Sequence, residues 1–382
     1  MREKLIEDQR HLFSLDEREV YLNCARMGPI PLATQEVGLN EVRRRANPSQ
    51  ISSDEFFSLT EETRELFNKL IRGNDPSRVV IAPATSYIVS TVARALHPKN
   101  GTILLTEHQF PSNYYPWKRM AQEKGLLLDV VQRVEGQDYT QTFLDKIDHN
   151  TAIIALEPIN WGDGLHIDIK SIGDKAKEVG AFYLIDGTQY IGAHPYIHSS
   201  VEPDVLVVSA YKWLLSPYGM AVAYLGPKMD DKMPLEDGWL NRSDSQDFQH
   251  LTKYQDQYRP KARRFEVGEA PDMIRVPMLN SSLKQILEWG PTNIKAYLSD
   301  LVSPYNEQLL SMGFHLLVPD HRCPHLYGIG LPAGIELEDV KQKLAKEKIS
   351  VSFRNEVIRV SPNVYNTRDD MSALVDVLRS LR

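Results

Sequence analysis

The chain has 382 residues, 42% hydrophobic and 25% charged, with a formal net charge of −7. That is enough apolar material for a large core and more than one domain. The acidic balance argues against nucleic acid as a partner, and no apolar run is long enough to span a bilayer.

Residues 1 to about 20 are polar and read as helical. The start, Met1-Arg2-Glu3-Lys4, lacks the apolar core of a signal peptide. Tyr21 to Pro31 is a short extended piece that breaks at Gly28-Pro29. Thr34–Arg45 and Asp54–Ile71 read as helices, with Arg43-Arg44-Arg45 on a solvated face. A strand at Arg78–Ala82 leads through Pro83-Ala84-Thr85-Ser86 into a helix with Ile88, Val89, Val92, Ala93 and Leu96 on one side. Strand and helix then alternate: Thr102–Thr106, a helix to Lys124, Leu126–Val131, Thr140–Ile147, Ala152–Glu157, Ile172–Val179, Phe182–Ile185 and Val205–Val208. Met220–Leu225 is a further apolar run. This alternation predicts a mostly parallel α/β sheet with helices on both faces. Lys228–Pro260 is polar and reads as connecting structure.

From about Lys261 the pattern becomes α+β. Helices at Ser281–Trp289, Ile294–Met312 and Leu337–Lys346 mix with strands near His315–Val318, Leu326–Leu331, Ile349–Phe353 and Val357–Val360. Thr367 and Asp370 resemble a capping box for a last helix. The expected organisation is a large domain over 21–260 and a small C-terminal domain over 261–382, joined by the N-terminal segment 1–20. Cys24 and Cys323 make neither a disulfide framework nor a metal spacing, and the 11 histidines show no metal-binding pair. A reduced, cytoplasmic setting and no metal are expected.

Ligands on such sheets bind beyond the C-terminal strand ends, and four features fall there. Lys212 follows the buried run Val205–Val208, where an ammonium loses solvation; a desolvated amine can be a nucleophile. Asp186 ends Phe182–Ile185, where a carboxylate is costly unless paired. Ala84-Thr85-Ser86 opens a helix, a site suited to phosphate. Phe110-Pro111-Ser112-Asn113 brings an aromatic ring to the same rim. Each has a plainer reading on its own: a surface lysine, a turn-capping Asp, an N-cap, a core Phe. Together they suggest pyridoxal 5′-phosphate (PLP), with an imine-forming lysine, an acid for the ring nitrogen, a phosphate cradle and a stacking ring.

The segments Asp186-Gly187-Thr188-Gln189, Ser209-Ala210-Tyr211-Lys212-Trp213, Arg264-Phe265-Glu266-Val267-Gly268 and Arg359 to Thr367 resemble the class V aminotransferase family of fold-type I PLP enzymes. That family includes cysteine desulfurases, kynureninases and isopenicillin N epimerase-like enzymes. The resemblance runs from about Tyr21 to the C-terminus. It implies Lys212 as the Schiff-base lysine and Asp186 as the ring-nitrogen partner, both catalytic. Gln189 would meet the cofactor's phenolic oxygen, Phe110 would stack on the ring, and Ala84, Thr85, Ser209 and Tyr211 would hold the phosphate. Arg359 would grip the substrate α-carboxylate, and Gly28 lies in a substrate-side loop. The interval 350–356 carries no cysteine, which argues against desulfuration. Trp161 stands where desulfurases have an Asn, and Glu269 where many relatives have a Thr reaching the neighbouring subunit. The leading expectation is aminotransfer between an amino acid or amine and a keto acid acceptor, in a homodimer. Racemisation or epimerisation, and C–C or C–S lyase chemistry, are alternatives. A protein that binds the cofactor without catalysis is disfavoured because Lys212, Asp186 and Arg359 are all present.

Overall fold

The protein is described by a computed structural model covering residues 6–134, 136–354 and 357–382. After a two-residue strand, β1 (Val20–Tyr21), seven strands build the central sheet. These are β2 (Val79–Ala82), β3 (Thr102–Thr106), β4 (Leu127–Val131), β5 (Thr151–Leu156), β6 (Phe182–Asp186), β7 (Val205–Ser209) and β8 (Ala221–Leu225). Their spatial order is β2-β8-β7-β6-β5-β3-β4. Only β8 runs against its neighbours, pairing antiparallel with β2 and β7. The sheet is thus mostly parallel, as the alternation of elements predicts.

Both faces of the sheet are covered, and the side chains sort by parity. In β7, Leu206 and Val208 join one buried cluster, while Val205 and Val207 join the other. In β6, Tyr183 and Ile185 oppose Phe182 and Leu184 in the same way. This two-sided burial is why the strands read as continuous apolar runs. Each fully buried Val or Leu contributes about 1.5–3 kcal/mol, which holds the strand ends in place. The helices of this part are α1 (Leu32–Arg45), α2 (Glu55–Leu70), α3 (Thr85–Ala95), α4 (Tyr115–Lys124), α5 (Tyr139–Leu144), α6 (Ile169–Val179) and the short α7 (His198–Val201). The segment from 228 to 260 holds only brief 3-10 turns among irregular chain.

Two long helices follow, α8 (Arg275–Trp289), packed on α1 and α2, and α9 (Pro291–Ser311). The smaller α+β part adds β9 (Tyr327–Gly330), α10 (Leu337–Lys346), β10 (Ile349–Ser350), β11 (Ser352–Arg354), β12 (Val357–Val360) and α11 (Arg368–Arg379). Strands β11, β12 and β9 form an antiparallel sheet, and β10 pairs in parallel with β1. The capping box is present: Thr367 accepts from the Asp370 N–H, and the Asp370 carboxylate accepts from the Thr367 N–H at 3.1 Å.

Two expectations fail. The N-terminal segment, described from residue 6, is not helical; it has one 3-10 turn, Arg10–Leu12. Tertiary contacts hold it instead. Phe13 packs edge-on against Tyr365 at 5.1 Å, and Arg10 donates to the carbonyls of Asp16 and Glu19. His315–Val318 is not a strand either. His315 makes a lone bridge to Gly330, and Pro319, which has no N–H, follows at once. Among the described residues no helix is long and apolar enough to cross a membrane.

Candidate active site

The C-terminal ends of the parallel strands open into one cavity of about 210 Å³. After β2 comes Ala84, extended, and then the first turn of α3. No side chain caps that helix, so its first backbone N–H groups are free to bind an anion. After β3 comes Phe110, with Ser112 beside it. Strand β5 delivers Glu157, β6 ends in Asp186, and β7 ends in Ser209 before Lys212. Thr188 joins two of these ends, because its hydroxyl oxygen accepts from the Ser209 N–H at 3.0 Å. A wider depression, about 630 Å³, lies over the connecting segment around Asp237, Arg242 and Tyr254. It is built without the strand ends, so the smaller cavity is where the chemistry collects.

Lys212 is 7% exposed, and its Nζ lies over the Phe110 ring, 5.3 Å from the centroid. Burial pushes its pKa down to about 8, against the opposing pull of Asp186. Among the described residues Nζ makes no hydrogen bond or ion pair. Asp186 is buried, and its Oδ1 accepts from the Thr188 N–H at 3.0 Å. Burial raises its pKa, while the Thr188 bonds and the Lys212 charge pull it back.

Glu157 is a second buried carboxyl, and sequence reasoning overlooked it. Its Oε1 accepts from Asn160 Nδ2 at 2.8 Å and from the Trp161 N–H at 3.3 Å. Burial, then the nearby Asp186 charge, raises its pKa well above the carboxylate range. The signal was there: Glu157 ends an apolar strand just as Asp186 does.

The structure brings Ala84, Thr85, Phe110, Asp186, Gln189, Ser209, Tyr211 and Lys212 to this one cavity. Arg359 stands at its edge. Its Nη1 donates to the carbonyl of the cavity residue Trp161 at 2.7 Å, and its Nη2 donates to Ser352 Oγ at 3.2 Å. Gln189 is held on both sides, accepting from Trp213 Nε1 at 2.7 Å and donating to the Ala25 carbonyl at 3.2 Å. Gly28 does not line the cavity. Its N–H is bonded to the Tyr211 carbonyl at 2.9 Å, on the backbone that leads to Lys212. The Phe110 ring meets Trp161 edge-on at 5.5 Å.

Other resembling segments serve the frame. Glu266 pairs with the buried Arg64 at 2.5 Å and with Arg259 at 3.2 Å. Asn366 donates to the Tyr21 carbonyl at 3.0 Å and to Asp370 Oδ2 at 2.9 Å, tying the last helix to β1. Both cysteines are buried, and burial pushes each thiol up to about 12. In the interval before Arg359, positions 355 and 356 lie outside the described residues. Among the described residues no group of three or more His, Cys, Asp or Glu could hold a metal ion.

A mostly parallel sheet with a buried lysine and a buried acid at its strand ends is the architecture of a fold-type I PLP enzyme. Residues 42–374 match the aminotransferase class-V family, and the chain belongs to that family. It is 24% identical to the uncharacterized aminotransferase YcbU of Bacillus subtilis over 98% of this chain and 97% of that one. It is 25% identical to isopenicillin N epimerase of Streptomyces clavuligerus over 98% of both chains. Its fold resembles a cysteine desulfurase from Thermococcus onnurineus, with a TM-score of 0.86 at 20% identity over 98% of both chains. It also resembles the cystine C–S lyase C-DES in complex with cysteine persulfide, with a TM-score of 0.85 at 17% identity over 94% of this chain and 97% of that one.

The cofactor of this class is PLP, and the cavity suits it. An amine without a polar partner, a buried carboxylate and an uncapped helix N-terminus answer its aldehyde, ring nitrogen and phosphate.

Proposed function

We propose that this chain is a PLP-dependent lyase that cleaves the Cβ–S bond of an α-amino acid. When bound, PLP supplies an aldehyde for the substrate amine and a ring that accepts the electron pair left at Cα. Lys212 is the residue that carries the cofactor and, once displaced by the substrate amine, takes the Cα proton. Its lowered pKa, about 8, leaves about a tenth of the amine neutral at pH 7, far more than an ordinary lysine offers. Asp186 keeps the ring nitrogen protonated. The α3 N-terminus, Thr85 and Ser209 hold the phosphate, and Arg359 holds the α-carboxylate.

The observation that carries this reading is that Lys212 is the single amine among the described residues lining the cavity, and that it faces the Phe110 ring. Elimination needs one such base. The Cα–H bond breaks, its electron pair becomes a Cα=Cβ bond, and the sulfur leaves with the Cβ–S pair. The proton held by Lys212 can then go to the leaving thiolate, and water converts the remaining fragment to pyruvate and ammonia. Epimerisation needs a second proton donor on the face opposite Lys212. Transfer of sulfur to the protein needs an accessible thiol, and Cys24 and Cys323 are buried and protonated.

Aminotransfer, the leading expectation from the sequence, also needs only one base. The lyase is preferred because several relatives and structural neighbours are named as isopenicillin N epimerase, probable or solved cysteine desulfurase and a cystine C–S lyase, whereas the aminotransferase among those described above is named uncharacterized. The test is to incubate holoenzyme with cystine and S-substituted cysteines. Pyruvate and ammonia in equal amounts support the lyase. Inverted amino acid carrying solvent deuterium would instead mean epimerisation. Pyridoxamine phosphate accumulating with the amino donor alone, and reverting with a keto acid, would mean aminotransfer. A homodimer belongs to the same reading, and sedimentation of the holoenzyme tests it.

A further inference from the structure

Two guanidinium groups, Arg354 and Arg359, stand beside the cavity residue Trp161, the exposed Arg26 adds its charge to both, and none of the three has an acidic partner among the described residues. Arg359 lies in β12 and is 1% exposed. Its cross-strand partner is Ser352, and Arg354 stands two residues further along β11. Two-residue spacing on a strand keeps the same face, so Arg354 and Arg359 are diagonal neighbours on one face of the sheet. Arg26 comes from the loop after β1.

The hydrogen bonds of the pair leave capacity unused. Among the described residues Arg354 Nη1 donates only to the adjacent Phe353 carbonyl, at 2.7 Å, and its guanidinium lies 5.1 Å above the Trp161 ring. Arg359 donates to the Trp161 carbonyl and to Ser352. The Nε atoms of both are buried and have no partner among the described residues. Burial, together with mutual repulsion, holds both guanidinium groups below their ordinary range. Arg354 and Arg26 act on Arg359, and Arg26 acts on Arg354. The contrast is Arg64, as deeply buried, which meets Glu266. Unmatched buried cations are costly, and a guanidinium fork matches a carboxylate. One substrate α-carboxylate answers one of these forks and leaves the other.

We propose that the substrate carries a second carboxylate on its side chain, with Arg359 holding the α-carboxylate and Arg354, backed by Arg26, holding the distal one. This rests on the reading above that Arg359 anchors an α-amino acid. For a lyase, the distal carboxylate leaves with the thiol fragment. The Trp161 ring lies beneath Arg354 and meets Phe110 edge-on, so Arg354 stands next to the cavity.

The test measures equilibrium binding to the PLP-loaded protein by calorimetry. The probes are succinate, glutarate and adipate against propionate, butyrate and valerate. The natural chain should bind at least one dicarboxylate ten- to a hundredfold more tightly than its monocarboxylate counterpart. R354Q should lower that ratio at least fivefold, and R26Q should lower it less. A ratio near one in the natural chain, or an unchanged ratio in R354Q, overturns the proposal. R359Q separates this from the reading beneath it. If R359Q leaves monocarboxylate binding intact, the α-carboxylate anchor is wrong and the proposal falls with it. If monocarboxylate binding is lost in R359Q while the natural chain shows no dicarboxylate preference, the anchor stands and only the second site fails.

Discussion

The Gly28 N–H donates to the Tyr211 carbonyl at 2.9 Å, and a Cβ on Gly28 would lie 2.1 Å from the Lys212 carbonyl oxygen. The loop after β1 is therefore pressed against the backbone that carries the lysine. Gly28→Ala cannot be relieved by a rotamer change, because the nearest atom is backbone. Overpacking of this kind costs about 1–3 kcal/mol. The variant should melt at a lower temperature and hold PLP more weakly, since Lys212 must shift. A melting curve and a PLP titration check both; wild-type values in each would mean that the loop yields without moving Lys212.

Lys212 should react as an amine at an unusually low pH. An ordinary lysine stays protonated until about pH 10.4, whereas burial brings Lys212 down to about 8. The neutral amine is the reactive form, so reactivity is full above about pH 8 and falls about tenfold per unit below it. Reductive methylation of the PLP-free protein, read by peptide mass spectrometry, gives this midpoint directly. Lys212→Ala should leave no borohydride-fixable link to PLP and no turnover. A midpoint near 10, or a fixed link in the variant, would mean that another lysine carries the cofactor.

The strands were legible because both sheet faces are buried, which leaves runs such as Val205–Val208 without a polar interruption. The site was legible for the same reason: a charged residue at the end of such a run stands out, as Asp186 and Lys212 do. Long-range placement was less visible. Val20 and Tyr21 pair with Ile349 and Ser350, and nothing local announces a partner so far along the chain. The polar stretch before them reads as a helix, but Phe13 and Arg10 are held by remote groups. The neighbourhood of Arg354 and Arg26 to Arg359 is hidden likewise, since those two look like solvated surface charges in their own segments. Gly28 was expected in a substrate-side loop, and its packing on the Tyr211 and Lys212 backbone is not visible in its own segment.

Arg359→Ala should weaken carboxylate ligands and spare simple amines. Among the described residues the guanidinium meets only a carbonyl and a hydroxyl, so its charge is left for a ligand. A charge-assisted hydrogen bond contributes about 1.5–3 kcal/mol, which is roughly ten- to a hundredfold in affinity. Dissociation constants for an α-amino acid and for its decarboxylated amine, measured on the PLP-loaded variant, check this. Equal losses for both would make Arg359 a structural residue.

Asp186 and Glu157 end neighbouring strands, and amide substitution should separate them. Asp186 raises the pKa of Glu157, whereas Asp186 itself is shifted by burial and held back by Thr188 and Lys212. Burial and the Asp186 charge favour the neutral form of Glu157, while Thr188 and Lys212 favour the ionised form of Asp186. Glu157→Gln replaces one neutral group with another, and its amide oxygen can still accept from Asn160 and the Trp161 N–H. Turnover should stay within about tenfold of the natural chain, a change of roughly 1.4 kcal/mol or less in the barrier. Asp186→Asn removes the charge that keeps the ring nitrogen protonated. It should retain part of its PLP yet lose turnover about a hundredfold or more, roughly 2.7 kcal/mol. PLP content and turnover measured side by side on the two variants decide the assignment, and a larger loss for Glu157→Gln than for Asp186→Asn would reverse the two roles.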